Sequence, residues 1–404
     1  MKLKKLRIPI FIFLLAVFVL GIIFVPKIRR ALAFQEAMEM NNIESTFINM
    51  NEYLPFRTVS KSSHPFVFPK VKNITLPIDF KSKETTYNTL KYIDSSYTQG
   101  LLVLQNDTIT YENYWRGQKE DIQHIAWSMS KSYVSALFGI AVQEGYIKSI
   151  QQTVDEYLPE LKDSGYEGVK IKDVLQMSSG IKFDETYSDA NSDINKFWEN
   201  FVLGQPQMKF IKELENYKPP GTYNEYVSIN TDILGLIIAR STNRNLSTYL
   251  QEKILEPIGS EFDAYWLIDG EGTELSHGGL NVCLRDFAKF GRLYLNKGNW
   301  NGKQIVPLDW FESSTNSIEE YLQPESKNSS DPGFGYGYQW WLIDGNEEEI
   351  LAIGVYNQHI YINPKTNTVI VKNSANRNYH DLTNPYIFSS VHLELYRKIA
   401  HMNE

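Results

Sequence analysis

Hydrophobic positions fall into three regimes along this chain. Ile8 to Val25 is an apolar run without a charged or strongly polar side chain. Short strand-like runs then lie on either side of a long middle stretch whose apolar residues recur at helical spacing. Gly100 to Gln105 and Thr108 to Trp115, separated by Asn106-Asp107, predict a β-hairpin. Tyr336 to Ile343, Ile350 to Tyr356, His359 to Ile362 and Thr368 to Asn373 predict antiparallel strands, the last two joined by a turn at Asn363 to Asn367. Helices are predicted over Thr85 to Ile93, Lys172 to Met177, Asp193 to Val202, Asn230 to Arg240, Leu246 to Leu255 and Leu284 to Asn296, with a last one from about Asn384 to Ile399. Another starts near Ser128 and runs to about Glu144, with Gly145 as its stop. The expected fold is α/β (α+β): one antiparallel sheet from both chain ends, flanked by helices, plus a mainly helical lobe at about 150–255.

The N-terminal run changes that picture. As a helix, Ile8 to Val25 spans about 27 Å, near the minimum for a bilayer core. Lys2, Lys4, Lys5 and Arg7 precede it, and Pro26, Lys27, Arg29 and Arg30 follow. The pattern predicts an uncleaved signal anchor. Ala31-Leu32-Ala33, which resembles a cleavage site, keeps a removed signal peptide as the alternative. The expected organisation is a cytoplasmic tail at 1–7, a transmembrane helix at 8–25, a stalk and lead-in at 26–80 and a catalytic domain at 81–404. The basic flanks place that domain outside the cytoplasm of a single-pass cell-membrane protein.

Charge and composition remove several function classes. The 404 residues carry a net charge of −8. Without the seven basic residues of positions 1–30, 33 basic face 48 acidic ones, a net of −15. Such a body repels a phosphate backbone, so nucleic acid is not an expected partner. The single cysteine, Cys283, excludes an internal disulfide and a Cys-rich metal site. The dispersed histidines show no metal-ligand spacing. Gly333, Gly335 and Gly337 precede a predicted strand rather than a helix, against a dinucleotide fingerprint.

One short pattern carries chemistry. Ser and Lys three residues apart on a helix share a face, so an amine can take the hydroxyl proton. The pattern occurs at Ser179 to Lys182, where Gly180 signals a helix stop, and at Ser128-Met129-Ser130-Lys131. The second opens an apolar helix and puts its polar groups at the positive helix end. On this motif alone, an N-capping serine with a solvated lysine remains the alternative.

From about residue 90 onward the chain resembles the serine β-lactamase-related family: class C β-lactamases, DD-peptidases, related esterases and 6-aminohexanoate-dimer hydrolases. Ser128-Met129-Ser130-Lys131-Ser132 resembles the family's nucleophile motif, and Leu175 to Gly180 the segment after it. Pro220 to Tyr226 resembles the approach to the second motif, here Tyr226 and Ser228. Gly278-Gly279-Leu280, Arg285 to Gly291, Tyr336 to Trp341 and Gly354 to Gln358 follow in family order, most like the 6-aminohexanoate-dimer hydrolase and esterase branch.

The resemblance implies a β-lactamase/transpeptidase-like fold and an acyl-enzyme on Ser128, with Lys131 as base and Tyr226 as proton relay. It implies an oxyanion hole from the N–H groups of Ser128 and Val355, and no metal or organic cofactor. Substrate contacts are expected from Tyr187, Ser228, His277 and Gly354. Tyr187 and His277 have bland alternatives, as a loop-packing tyrosine and a surface histidine. The family's strand lysine is missing: Ala352-Ile353-Gly354 stands where β-lactamases carry Lys-Thr-Gly. The expected substrate is therefore a small ester or amide. A β-lactamase or DD-peptidase and an inactive membrane-tethered binding protein are the competing readings.

Overall fold

The structure, a computed structural model, describes Phe18 and residues 25–402. Seven strands form the central sheet: β1 (Thr98–Gln105), β2 (Thr108–Tyr114), β3 (Gly335–Tyr336), β4 (Trp341–Leu342), β5 (Ile350–Gly354), β6 (Gln358–Asn363) and β7 (Thr368–Ser374). Their order is β3-β4-β5-β6-β7-β1-β2, and every neighbouring pair is antiparallel. The early hairpin thus closes against the last strand, with Val371 opposite Leu102. Asn106 and Asp107 make its tight turn at φ 51° and 57°, values that Asn and Asp tolerate better than most residues.

Both sheet faces are covered, so the strands are apolar on both sides rather than alternating with polar residues. Leu102, Leu104, Ile360 and Val371 enter the main core. Leu101, Val103, Tyr361 and Ile370 enter a second one. Four long helices organise these layers: α1 (Ser130–Gln143), α2 (Ile229–Thr242), α3 (Leu284–Leu295) and α4 (Ser389–Ala400). Phe287, Phe290 and Leu293 of α3 lie in the main core. Val391, Leu395 and Tyr396 of α4 lie in the second. The segment between α1 and α2 is helical and short-turned, as expected for the lobe.

Local details differ where turn chemistry overrides periodicity. Thr85–Asn88 is a strand paired with Asp79–Ser82, and the helix starts only at Thr89, where Asn88 accepts the Lys91 N–H. The stretch Tyr336 to Ile343 is two short strands, because Gln339 turns the chain at φ 63°.

The expected N-terminal transmembrane helix is corrected. Among the described residues no helix is long and apolar enough to cross a membrane. Of Ile8 to Val25 only Phe18 and Val25 are described, and the rest of that run lies outside the described residues. The helix over 25–37 carries Lys27, Arg29 and Arg30, and it turns Phe34 and Ala37 into the protein. Residues 26–80, read from the sequence as a stalk and lead-in, supply Ile43, Phe47 and Met50 to the main core. Phe56–Val59 pairs with Ala264–Leu267 in a second sheet of four strands.

Candidate active site

Ser128 lies in a 3₁₀ turn, Trp127–Met129, that runs directly into α1. Trp127 holds φ 47°, a left-handed conformation costly for a bulky residue. Phe47, Tyr356 and Trp198 pack around its indole and hold the turn in place.

One helical turn on, Lys131 is only 2% exposed. Its Nζ donates to Ser128 Oγ at 2.9 Å, to Ser228 Oγ at 3.3 Å and to the His277 carbonyl at 3.0 Å. This geometry rejects the solvated-lysine alternative. Burial lowers the Lys131 pKa to about 8, while the carboxylates of Glu185 and Asp232 hold it from falling further.

Tyr226 completes the cluster. Its side chain faces Ser128, and its ring lies over Lys131, with Nζ 5.0 Å from the ring centroid. Trp341 stacks on that ring at 5.5 Å, and Tyr336 meets it edge-on at 6.2 Å. Burial pushes the Tyr226 pKa well above 10, so at neutral pH the group is a phenol able to donate a proton.

The other residues singled out from the sequence take different places. Ser228, fully buried at the start of α2, sits between Lys131 and the Tyr187 hydroxyl. Tyr187 lies beside the site rather than out in its loop. His277 is buried, its Nδ1 2.6 Å from Asp232 Oδ2, and reaches Lys131 only through its backbone carbonyl. Gly354 ends β5 so close to the turn before Ser128 that a Cβ there would stand 2.6 Å from the Ala126 carbonyl oxygen. Glycine is therefore required, and Val355 follows directly on this close approach.

Two carboxylates escaped the sequence reading. Glu185 accepts the Ser228 N–H, and its second oxygen is buried without a hydrogen-bond partner. Asp232, four residues after Ser228, accepts from both the N–H and the ring of His277. A carboxylate two residues before Tyr187 was visible in Phe183 to Tyr187. No spacing rule ties it to a serine more than fifty positions away.

The family model for β-lactamases matches residues 98–389. The chain belongs to the β-lactamase family. It is 31% identical over 307 residues to the 6-aminohexanoate-dimer hydrolase of Paenarthrobacter ureafaciens, covering 72% of this chain and 77% of that one. A candidate 6-aminohexanoate-dimer hydrolase from Bacillus anthracis superposes with a TM-score of 0.79 at 26% identity, covering 89% of this chain and 94% of that chain. A class C β-lactamase shares the fold, with a TM-score of 0.54 at 16% identity over 78% of this chain and 94% of its own. This β-lactamase-family protein is a serine hydrolase of amide or ester bonds.

Proposed function

We propose that the enzyme cleaves small esters or amides through an acyl-enzyme on Ser128. The observation that carries this reading is the buried 2.9 Å contact between Lys131 Nζ and Ser128 Oγ, with the Tyr226 ring over the same amine. Neutral Lys131 takes the Ser128 proton as Oγ adds to the substrate carbonyl. The backbone N–H groups of Ser128 and Val355 hold the resulting oxyanion, each such donor contributing about 3–4 kcal/mol. Tyr226 passes a proton to the leaving alcohol or amine as its bond to the acyl carbon breaks. Water then adds to the acyl carbon by the reverse relay and releases the acid and free Ser128.

The substrate class follows from what stands on β5. Ala352 and Ile353 carry no charge to grip the carboxylate of a penicillin or cell-wall peptide. A charge-assisted hydrogen bond to such a group is worth about 1.5–3 kcal/mol. Its absence costs roughly 10- to 150-fold in discrimination. p-Nitrophenyl esters of short acids should therefore be hydrolysed measurably, and penicillins and cephalosporins weakly or not at all. Assaying both types with one preparation tests this. A larger kcat/KM for a cephalosporin replaces the reading with a β-lactamase.

The pH profile gives a second check. The reactive form of Lys131 is the free base, and its pKa is about 8. Below that pH, kcat/KM should fall about tenfold per unit, and above about pH 9 it should level off. Glu185 raises the Lys131 pKa, so Glu185→Gln should shift the rise to lower pH. An amide oxygen there still accepts the Ser228 N–H. An unshifted profile means that Glu185 does not act on the base.

A further inference from the structure

Two bulky residues at the site hold left-handed backbone. Trp127 has φ 47° and Tyr356 φ 61°, and Asn357 follows at 69°. Asparagine tolerates that region. An aromatic residue stays there only where its surroundings over-determine it. Trp127 immediately precedes Ser128, and Tyr356 immediately follows Val355. The strained residues thus adjoin the two N–H groups assigned above to the oxyanion.

One ring meets both of them. Phe47 is fully buried, and its ring lies edge-on to Trp127 at 5.3 Å and to Tyr356 at 4.9 Å. Trp127 and Tyr356 meet each other at 5.9 Å, so the rings close a triangle. Among the described residues no other ring touches both: Trp198 packs on Trp127, and Tyr379 and His380 pack on Tyr356. The Phe47 carbonyl also accepts the Ile125 N–H at 3.0 Å, which ties its backbone to the chain entering the Ser128 turn.

Phe47 is itself anchored. Its N–H donates to the Ile43 carbonyl at 2.9 Å, Thr46 Oγ1 donates to the Ala37 carbonyl at 2.7 Å, and Gln99 Nε2 donates to the Glu44 carbonyl at 2.7 Å. It lies outside residues 98–389, which match the family model. Polar contacts hold the Val355 turn from its other side. Gln358 Nε2 donates to the Val355 carbonyl at 3.3 Å, and Asn357 Nδ2 donates to the Ile387 carbonyl at 2.9 Å. The close approach of Gly354 to Ala126 sets how near the two turns lie. The Phe47 ring bears on the conformation of both.

We propose that Phe47 is a positioning residue for the oxyanion hole: its ring wedges Trp127 and Tyr356 in the left-handed region, so that the Ser128 and Val355 N–H groups converge on one oxygen. The proposal rests on the acyl-enzyme reading of Ser128. Without the ring both turns relax toward negative φ, the adjoining peptide planes rotate, and the donors lose their aim. Lys131 keeps its burial and its neighbouring carboxylates, so the base is unchanged.

The test separates the hole from the base and from the fold. Sulfur is larger than oxygen and a weaker acceptor, so donors placed for an oxyanion favour an ester over its thionoester. p-Nitrophenyl acetate and p-nitrophenyl thionoacetate are assayed with the parent enzyme, Phe47→Leu, Phe47→Met, Leu395→Ala and Ser128→Ala. The parent should prefer the ester by about 100-fold or more in kcat/KM. Each Phe47 variant should lose about 10-fold or more of that preference through kcat, with KM for the ester within about threefold of the parent. Its pH profile should still rise through about pH 8, where Lys131 titrates. Leu395→Ala empties a site in the second core; it should lower the melting temperature and leave the preference within about twofold of the parent. An unchanged preference in a folded Phe47 variant, a shifted pH profile, the same loss in Leu395→Ala, or loss of the fold in both Phe47 variants overturns the positioning role. A parent without the preference overturns the oxyanion hole. Ester turnover that survives in Ser128→Ala overturns the acyl-enzyme reading, so the failures are distinct.

Discussion

Replacing Ser128 with alanine lowers kcat/KM for an activated ester by about 10⁴-fold or more, the scale on which losing a nucleophile abolishes a serine-hydrolase mechanism. Steady-state assay with p-nitrophenyl acetate reads the loss. The effect is this large because, in the proposed mechanism, Oγ is the atom that bonds to the acyl carbon. Among the described residues no other hydroxyl stands at 2.9 Å from the Lys131 amine: Ser228 is at 3.3 Å and is fully buried. The fold should survive, since the Ser128 side chain is small and its turn is held by Trp127 and its aromatic neighbours. An unchanged circular dichroism spectrum with lost turnover is the expected pair of results. A variant that keeps a tenth of the parent rate contradicts the assignment.

Lys131→Met should reduce kcat by about 10³-fold, within the range for removing a positioned general base. Methionine approximates the length of the lysine stem without its amine. Two serine hydroxyls and the His277 carbonyl lose their partner. Leaving buried polar groups unpaired costs roughly 1–3 kcal/mol each, so the melting temperature should also fall. The separating observation is the pH profile. Residual activity should no longer follow a group with a pKa near 8, because that group is gone. Residual activity that still rises through pH 8 means another residue is the base.

Most of the sheet and of the reacting cluster was legible in the sequence, for local reasons. Asn106-Asp107 marked a hairpin because those two residues adopt the conformation its turn needs. Ser128 and Lys131 share a helix face through three-residue spacing alone. Asp193–Val202 and Leu284–Leu295 appeared as helices because their apolar residues repeat at helical spacing. What stayed hidden depends on distant contacts. The His277 carbonyl that receives Lys131 comes from 146 residues away. Glu185 meets Ser228 across 43 positions. Phe34 and Met38 looked like stalk residues because their partners, Trp198 and Tyr356, lie far along the chain. Thr85 to Asn88 reads as helix from the sequence, and only its pairing with Asp79–Ser82 makes it a strand.

The most direct test of the account is to find the atom that becomes covalently modified. A fluorophosphonate reacts with an activated serine as an ester carbonyl does, and the adduct is stable. Peptide mass spectrometry of the labelled enzyme should show one phosphonylated residue, Ser128, with loss of ester turnover in proportion to labelling. Labelling on another serine, or full labelling of Ser128 with turnover intact, contradicts it.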